Sequence, residues 1–121
     1  MGDNNPDVRC FAAESIGFVG TDEAKAILQE QLNRETDSFA KVGIYYALYL
    51  LGREEMLPKL LSLLDDNYHL TVIRSLDVLR DVVNQTNKEN ILLNIEKLLK
   101  RDIPISVKEK AEVVLQEIKG S

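Results

Sequence analysis

A short amphipathic pattern occurs four times along this chain, and it constrains the fold more than any other feature. From Val8, apolar or small residues stand at offsets 0, 4, 7, 8 and 11, and the same offsets repeat from Ala40, Val72 and Val107, with Arg80 as the polar exception. This spacing matches the roughly 3.6 residues of a helical turn, so each copy predicts an amphipathic helix. The copies begin 32, 32 and 35 residues apart, which is a period typical of stacked helical repeats.

A second helix is predicted after the first in three of the four copies. Gly20 and Gly52 end two of the first helices, because glycine is the usual residue just beyond a helix C-terminus. Apolar residues with helical spacing then predict second helices at residues 22–32, 53–64 and 88–100. The sequence therefore predicts an all-α fold, a right-handed α-solenoid of about three and a half helix pairs in a single domain. The repeat units are expected at residues 5–33, 37–65, 68–100 and 104–119.

One flank of the first helices, at offsets 3 and 10, changes character along the chain. It carries Phe11 and Phe18 in the first copy but Lys110 and Glu117 in the last. Apolar residues on a flank suit contact with a neighbouring repeat, whereas charged residues suit a solvated end of the array. We therefore expect this flank to face the following repeat, and we expect the last helix to end the stack.

The opening of the first copy contains a recognisable set of residues. They are Val8, Arg9, Ala12, Ala13, Ile16, Gly17, Val19, Gly20 and Ala24. This set resembles a HEAT repeat of the short bacterial type that also occurs in phycobilin lyase subunits, and the copies that begin at Ala40 and Val107 resemble it too. The resemblance implies an α-solenoid, and it leaves the function open because such repeats host many binding activities.

Composition and charge limit the functions open to the chain. A net charge of −5 repels phosphate, so nucleic-acid binding is disfavoured. No apolar run reaches the roughly 18 residues of a membrane-spanning helix, and the polar N-terminal residues lack the apolar centre of a secretory signal. A single cysteine suits a reducing compartment, so we expect a cytoplasmic protein. We also expect a complete chain, with Met1-Gly2 or Gly120-Ser121 as the remnant of a short tag.

Residues that commonly serve catalysis or bind metals are scarce. His69 is the only histidine and lies in the joint before the third copy, whereas a metal site needs several converging ligands. Cys10 has no histidine close in sequence that could lower the pKa of its thiol. Its place beside the predicted stripe suggests a half-exposed, inert thiol. We therefore predict a non-enzymatic protein with no catalytic residue, no metal and no cofactor.

The second helices supply the predicted binding surface, because they line the concave side of such arrays. Residues 1–66 hold twelve acidic and six basic side chains, whereas residues 67–121 hold eight acidic and nine basic ones. This polarity would orient a charged protein partner. We predict a scaffold or adaptor, in its sharper form an inhibitor or immunity-type protein that covers a basic toxin or enzyme, and a monomer or weak dimer. The candidate residues for the partner site are Glu23, Glu30, Glu55, Lys59, Asn94 and Lys97.

Tyr45, Tyr46 and Tyr49 form a secondary, aromatic candidate site. Tyrosine is enriched at interface hot spots, which favours a role in partner binding. The same rings can instead fill the grooves between neighbouring helices, with their hydroxyl groups at the surface. Both interpretations stay open from the sequence.

Two other functions also stay open. A lyase-like or chaperone subunit that handles a bilin or another small ligand agrees with the phycobilin lyase resemblance, but it would need a pocket with acids and a nucleophile. A HEAT-like nucleic-acid binder would need a continuous basic stripe. The basic residues available for such a stripe are Lys97, Lys100, Arg101, Lys108 and Lys110.

Overall fold

A computed structural model describes residues 4–120, and all of their regular structure is helical. The prediction of an all-α chain is therefore confirmed for this part of the sequence. Met1-Gly2 and Ser121, which include most of the expected tag remnants, lie outside the described residues. The helices are α1 (Pro6–Val19), α2 (Asp22–Arg34), α3 (Ser38–Leu50), α4 (Met56–Ser62), α5 (His69–Val82), α6 (Lys88–Leu99) and α7 (Ile105–Lys119), with a 3₁₀ turn at Leu63–Asp65.

The boundary between α1 and α2 follows from local capping chemistry. Asn5 accepts a hydrogen bond from the backbone N–H of Asp7 at 2.9 Å before α1. Gly20 ends the helix with a φ of 76°, a left-handed conformation that costs glycine little. Thr21 then accepts a hydrogen bond from the Ala24 N–H at 3.0 Å and opens α2. The predicted turn at Gly20 is confirmed.

The helix after Gly52 is shorter than predicted. A helix was expected over residues 53–64, but α4 spans only Met56–Ser62. Pro58 explains the late start, because a proline ring inside a helix collides with the carbonyl four residues earlier and provides no N–H. Starting at Met56 puts Pro58 in the first turn, where the missing N–H has no partner to lose.

The chain divides into two compact units, Met1–Leu60 and Leu61–Ser121. In the first unit, α1 packs chiefly along α3, and α2 contacts both. In the second unit, α7 packs against α5 and α6. The buried core of the first unit includes Ala13, Leu28, Ile44, Ala47, Leu48 and Met56, and fully buried residues of the second include Leu76, Leu79, Ile91, Ile95, Val107 and Ile118.

The predicted buried stripe is confirmed in three copies and largely wrong in the first, where Ile16 packs against the core but Ser15 is exposed. The face of α1 that is buried carries Cys10, Ala13, Glu14 and Gly17, while Val8 and Val19 at the ends of the predicted stripe are exposed. Small residues explain this choice, because they let two helix backbones approach closely. In the other copies Leu51 and Val83, at offset 11, are half-buried. The rest of the apolar stripe is buried at Ala40, Ile44, Ala47, Leu48, Val72, Leu76, Leu79, Val107, Ala111, Val114, Leu115 and Ile118.

Two glycines set the distance between α1 and α3. A Cβ added at Gly17 would lie 2.6 Å from the Cβ of Ala47, and one added at Gly43 would overlap the backbone of Cys10. The prediction of a half-exposed Cys10 is wrong, because this close approach buries the cysteine completely. Its Sγ donates toward Oε2 of the buried Glu14 at 3.4 Å.

The flank at offsets 3 and 10 meets different neighbours in different copies. In the first copy Phe11 and Phe18 contact Phe39 and Tyr46 of the following first helix, as expected, with ring centroids 6.4 and 6.2 Å apart. In the second and last copies the flank faces the preceding first helix instead. On α3 this flank carries Gly43, which meets α1. On α7 it carries Lys110 and Glu117, which form ion pairs with Asp77 and Arg80 of α5. These two charges were expected to mark a solvated end of the stack, and that expectation is wrong. The pair with Glu117 also explains why α5 tolerates the charged Arg80 at a position where the repeated pattern has an apolar residue.

A partly buried ion pair links α1 to the loop between α2 and α3. Nε and Nη2 of Arg9 donate to the two carboxylate oxygens of Glu35 at 2.8 and 3.1 Å. The backbone N–H groups of Thr36 and Asp37 also donate to Glu35, at 3.2 and 3.1 Å. Burial alone would raise the pKa of Glu35, but these hydrogen bonds and the positive charge of Arg9 outweigh it and lower the pKa below its ordinary value of 4.5.

Replacing Gly43 with alanine should destabilise the protein. The new methyl group would meet backbone atoms of Cys10, which cannot move aside as a flexible side chain could, so we expect the free energy of unfolding to fall by about 1–3 kcal/mol. Urea denaturation followed by circular dichroism measures this change. The control is Gly120→Ala, whose methyl group meets no atom closer than 3.4 Å. Equal stability of Gly43→Ala and the natural protein would contradict the close packing.

Replacing Glu35 with glutamine should change how stability depends on pH. A carboxyl with a lowered folded-state pKa stabilises the fold above its unfolded pKa, and this contribution disappears as the pH falls through the folded pKa. Glu35→Gln should therefore lower stability at pH 7 by about 1–3 kcal/mol and should lose less stability than the natural protein below about pH 4.5. Thermal melts from pH 7 to about pH 3 test this prediction.

The matched control for this experiment is Glu30→Gln. Glu30 also pairs with an arginine, Arg34, but both side chains are 70% exposed, and exposed pairs contribute little to stability. The stability of this variant should fall with decreasing pH just as that of the natural protein does. If the stability of Glu35→Gln fell in the same way, the proposed role of the Arg9–Glu35 pair would be wrong.

Candidate binding surfaces

Two of the predicted partner-site residues lie together on the exposed face of α2. Glu23 and Glu30 are seven residues apart, about two helical turns, and both are exposed. Between them lie Ala26 and Ile27, which are also exposed. Although Ile27 is a large apolar residue, it is exposed, because the buried side of α2 uses Ala24 and Leu28 instead. The result is an acidic helix face with a small apolar centre.

Glu55 and Lys59 are exposed in the same compact unit. Glu55 lies in the turn before α4 rather than within a helix, because α4 begins at Met56. Its carboxylate is 3.6 Å from Nη1 of Arg53, and both side chains are more than a third exposed. Pairs of this kind contribute little to folding, so Glu55 is available to a partner at little cost.

The other two predicted residues, Asn94 and Lys97, lie on α6 in the second unit. Asn94 is half-buried, and its Nδ2 donates to the backbone oxygen and to Oδ1 of Asn90 at 2.8 and 3.1 Å. Its amide is therefore already used within the helix. Lys97 is exposed and lies in the last turn of α6, where a positive charge interacts favourably with the helix dipole.

The three tyrosines of the aromatic candidate site are used mainly in packing. Tyr46 is 6% exposed, and its ring meets the edge of the Phe18 ring at a centroid distance of 6.2 Å. Tyr45 and Tyr49 are half-buried and pack against the core of the first unit. Burial raises the pKa of Tyr45. The groove-filling interpretation fits this arrangement better than an exposed aromatic anchor.

A small polar pocket of about 160 Å³ opens in the second unit. His69 and Asp66 line it beside the start of α5, and Arg101 and Asp102 line it beside the joint between α6 and α7. Arg101 is held by an ion pair with Asp65. Pockets for drug-sized ligands usually reach about 300–1,000 Å³, so this one does not suit a bilin. Among residues 4–120, no three His, Cys, Asp or Glu side chains cluster as metal ligands would.

The basic residues considered for nucleic-acid binding do not form a free stripe. Arg101 pairs with Asp65, and Lys110 pairs with Asp77. Each of these carboxylates offsets a charge that phosphate contacts would need. Lys97, Lys100 and Lys108 are exposed. Within the described part of the chain, no helix has the length and apolar character needed to cross a membrane.

Comparison with known proteins identifies the repeat. The sequence model of the HEAT repeats family matches residues 1–80. No curated protein and no solved structure matches the chain. HEAT repeats commonly serve as protein-interaction scaffolds without enzymatic activity. The family match covers most of the chain, and with the all-helical structure it confirms the HEAT-like, α-solenoid type of fold that the repeated pattern predicts. This chain belongs to the HEAT-repeat family.

Proposed function

We propose that this protein is a non-enzymatic adaptor that binds another protein through the outward faces of its second helices. The observation that carries the proposal is the acidic face of α2, where Glu23 and Glu30 flank Ala26 and Ile27. Both carboxylates are exposed, and that of Glu30 pairs with the exposed Arg34. An apolar centre with a charged rim is the usual composition of a protein–protein interface.

The charge of this surface points to a basic partner. The first compact unit holds ten acidic and six basic residues, and Glu55 is a further exposed carboxylate of the same unit. Opposite charges steer a partner during encounter and fix its orientation. An inhibitor or immunity-type role, in which the acidic unit covers a basic toxin or enzyme, agrees with this charge.

Rigidity is the physical advantage of such a surface. Helices held by buried side chains lose little conformational freedom when a partner docks, so less of the interaction energy is spent on ordering the site. A chain with one cysteine also suits a reducing compartment such as the cytoplasm. A bilin-handling or nucleic-acid-binding role receives less support from the pocket volume and from the paired Arg101 and Lys110.

Charge reversal tests the proposal directly. The triple variant Glu23→Lys, Glu30→Lys and Glu55→Lys should fold normally, because all three residues are exposed. Proteins captured from the native host by the natural chain would be identified by mass spectrometry, and the affinity of each for purified variants would then be measured. We expect the triple variant to bind at least about tenfold more weakly, and we expect the natural interaction to weaken as salt is added.

The matched control is the triple variant Glu96→Lys, Glu109→Lys and Glu112→Lys. It makes the same change in net charge at three exposed positions on α6 and α7, so a non-specific effect of charge would appear in both variants. Loss of binding in the first variant alone supports the proposal. Equal affinity of the natural chain and the first variant would reject the α2 surface as the binding site.

A further inference from the structure

The outward face of α1 is an exposed apolar surface. Val8, Phe11, Phe18 and Val19 lie on it and are 47–68% exposed, and Ala12 and Ser15 lie between them on the same side of the helix. None of the six side chains is charged. A continuous apolar face of this kind on a folded protein usually marks a contact with another molecule. We call these six residues the α1 face.

Repeat symmetry shows what kind of surface would cover the α1 face. Gly43 and Ala47 are at offsets 3 and 7 of the second copy, and they receive α1. Lys110 and Glu117, at offsets 3 and 10 of the last copy, receive α5. The α1 residues at these offsets are Phe11, Ser15 and Phe18. All three are exposed, and the rings of Phe11 and Phe18 also contact Phe39 and Tyr46 of α3 at the side of this surface. On α3 and on α7, the surface at these offsets packs against another first helix. The α1 face is the equivalent surface of the first copy.

The α1 face is also symmetric along its own length. Val8, Ala12, Ser15 and Val19 are spaced four, three and four residues apart, which is the spacing of a seam between two packed helices. Reading from either end gives valine, small, small, valine. When two copies of α1 lie antiparallel about the point between residues 13 and 14, Val8 meets Val19 and Ala12 meets Ser15. A two-fold contact needs a self-complementary surface of this kind.

The chain offers a poorer surface for a head-to-tail contact. The side of α1 that packs on α3 uses Cys10 and Gly17, at offsets 2 and 9. The same offsets on α7 are Glu109 and Gln116, and both residues are exposed. Placing these polar side chains on the α1 face would bury a carboxylate against phenylalanine and valine, which is costly without a partner charge.

We propose that the α1 face binds the α1 face of a second copy of this chain in an antiparallel, two-fold arrangement. Small residues at the centre let the two backbones approach, while Phe11 and Phe18 cover the seam from the side. The exposed apolar area is on the order of 400 Å² per copy, or about 800 Å² in the pair. Stable interfaces bury at least about 1,200 Å², so the dimer should be weak and depend on concentration.

The first test measures association. Sedimentation equilibrium from about 10 µM to about 1 mM covers weak association, with a Kd in the micromolar to millimolar range. The average mass of the natural protein should rise above 13.7 kDa as concentration increases. Val19→Glu should weaken association at least about tenfold, because two carboxylates would enter an apolar seam. Val113→Glu is the control, since Val113 is an exposed valine on α7, and it should associate like the natural protein.

The second test measures orientation. A mixture of the Val8→Cys and Val19→Cys variants should form a disulfide between copies under mild oxidation, because these positions meet in the antiparallel seam. Either variant alone should not, since its two cysteines would be about 16 Å apart along the helix, which is beyond the reach of a disulfide. Cys10 is buried and can remain in both variants.

The association and cross-linking measurements can each support or overturn the proposed dimer. Association that Val19→Glu weakens and Val113→Glu preserves, together with cross-linking in the mixture alone, supports the α1 dimer. A monomer throughout the concentration range, equal association of both glutamate variants, or efficient cross-linking of Val8→Cys with itself would overturn it. The α2 surface takes no part in these measurements, so the adaptor proposal is tested separately.

Discussion

The close contact between α1 and α3 is the constraint on which the first compact unit depends. At Gly17 and Gly43 the two helices approach until there is no space for another carbon atom. This contact buries Cys10 and Ala13, decides which side of α1 faces the core, and thereby turns Val8 and Val19 outward. The joint that follows α2 is then held to α1 by the pairing of Arg9 with Glu35. A larger residue at either glycine would separate the helices, and dispersion contacts along the whole interface would weaken together.

Carboxylates serve two distinct purposes in this structure. Glu35 and Asp77 are largely shielded from water and pair with basic groups on other helices, so their charges hold helices in place. Glu23 and Glu30 lie on the open face of α2, where a charge contributes little to stability but shapes the electric field that an approaching molecule meets. The negative charge of the chain is therefore partly structural and partly available for recognition.

Membership in the HEAT-repeat family explains why the architecture says little about a specific activity. Repeats of this class share packing rules, while the residues on their outward faces are free to differ. Two such faces stand out in the first unit, and they differ in chemistry: α2 presents carboxylates around Ala26 and Ile27, whereas α1 presents only small and apolar side chains. Binding at the α2 face would be electrostatic and weakened by salt, whereas binding at the α1 face would be hydrophobic and much less sensitive to salt.

The sequence by itself determined the helices and their repeat, because the apolar spacing, the caps at Asn5 and Thr21 and the turn at Gly20 are local features. It also located Glu23 and Glu30 on one exposed helix face, since helical spacing alone places residues seven apart on the same side. Only the tertiary structure decided that Cys10 is buried, that Ile27 and Val19 are exposed, and that Lys110 and Glu117 pair with α5. The physical reason is that a helix with small residues on one side and larger apolar residues on the other can be buried on either side. Which side is buried depends on how closely the neighbouring backbone can approach, and that distance is a property of two helices rather than of one sequence pattern.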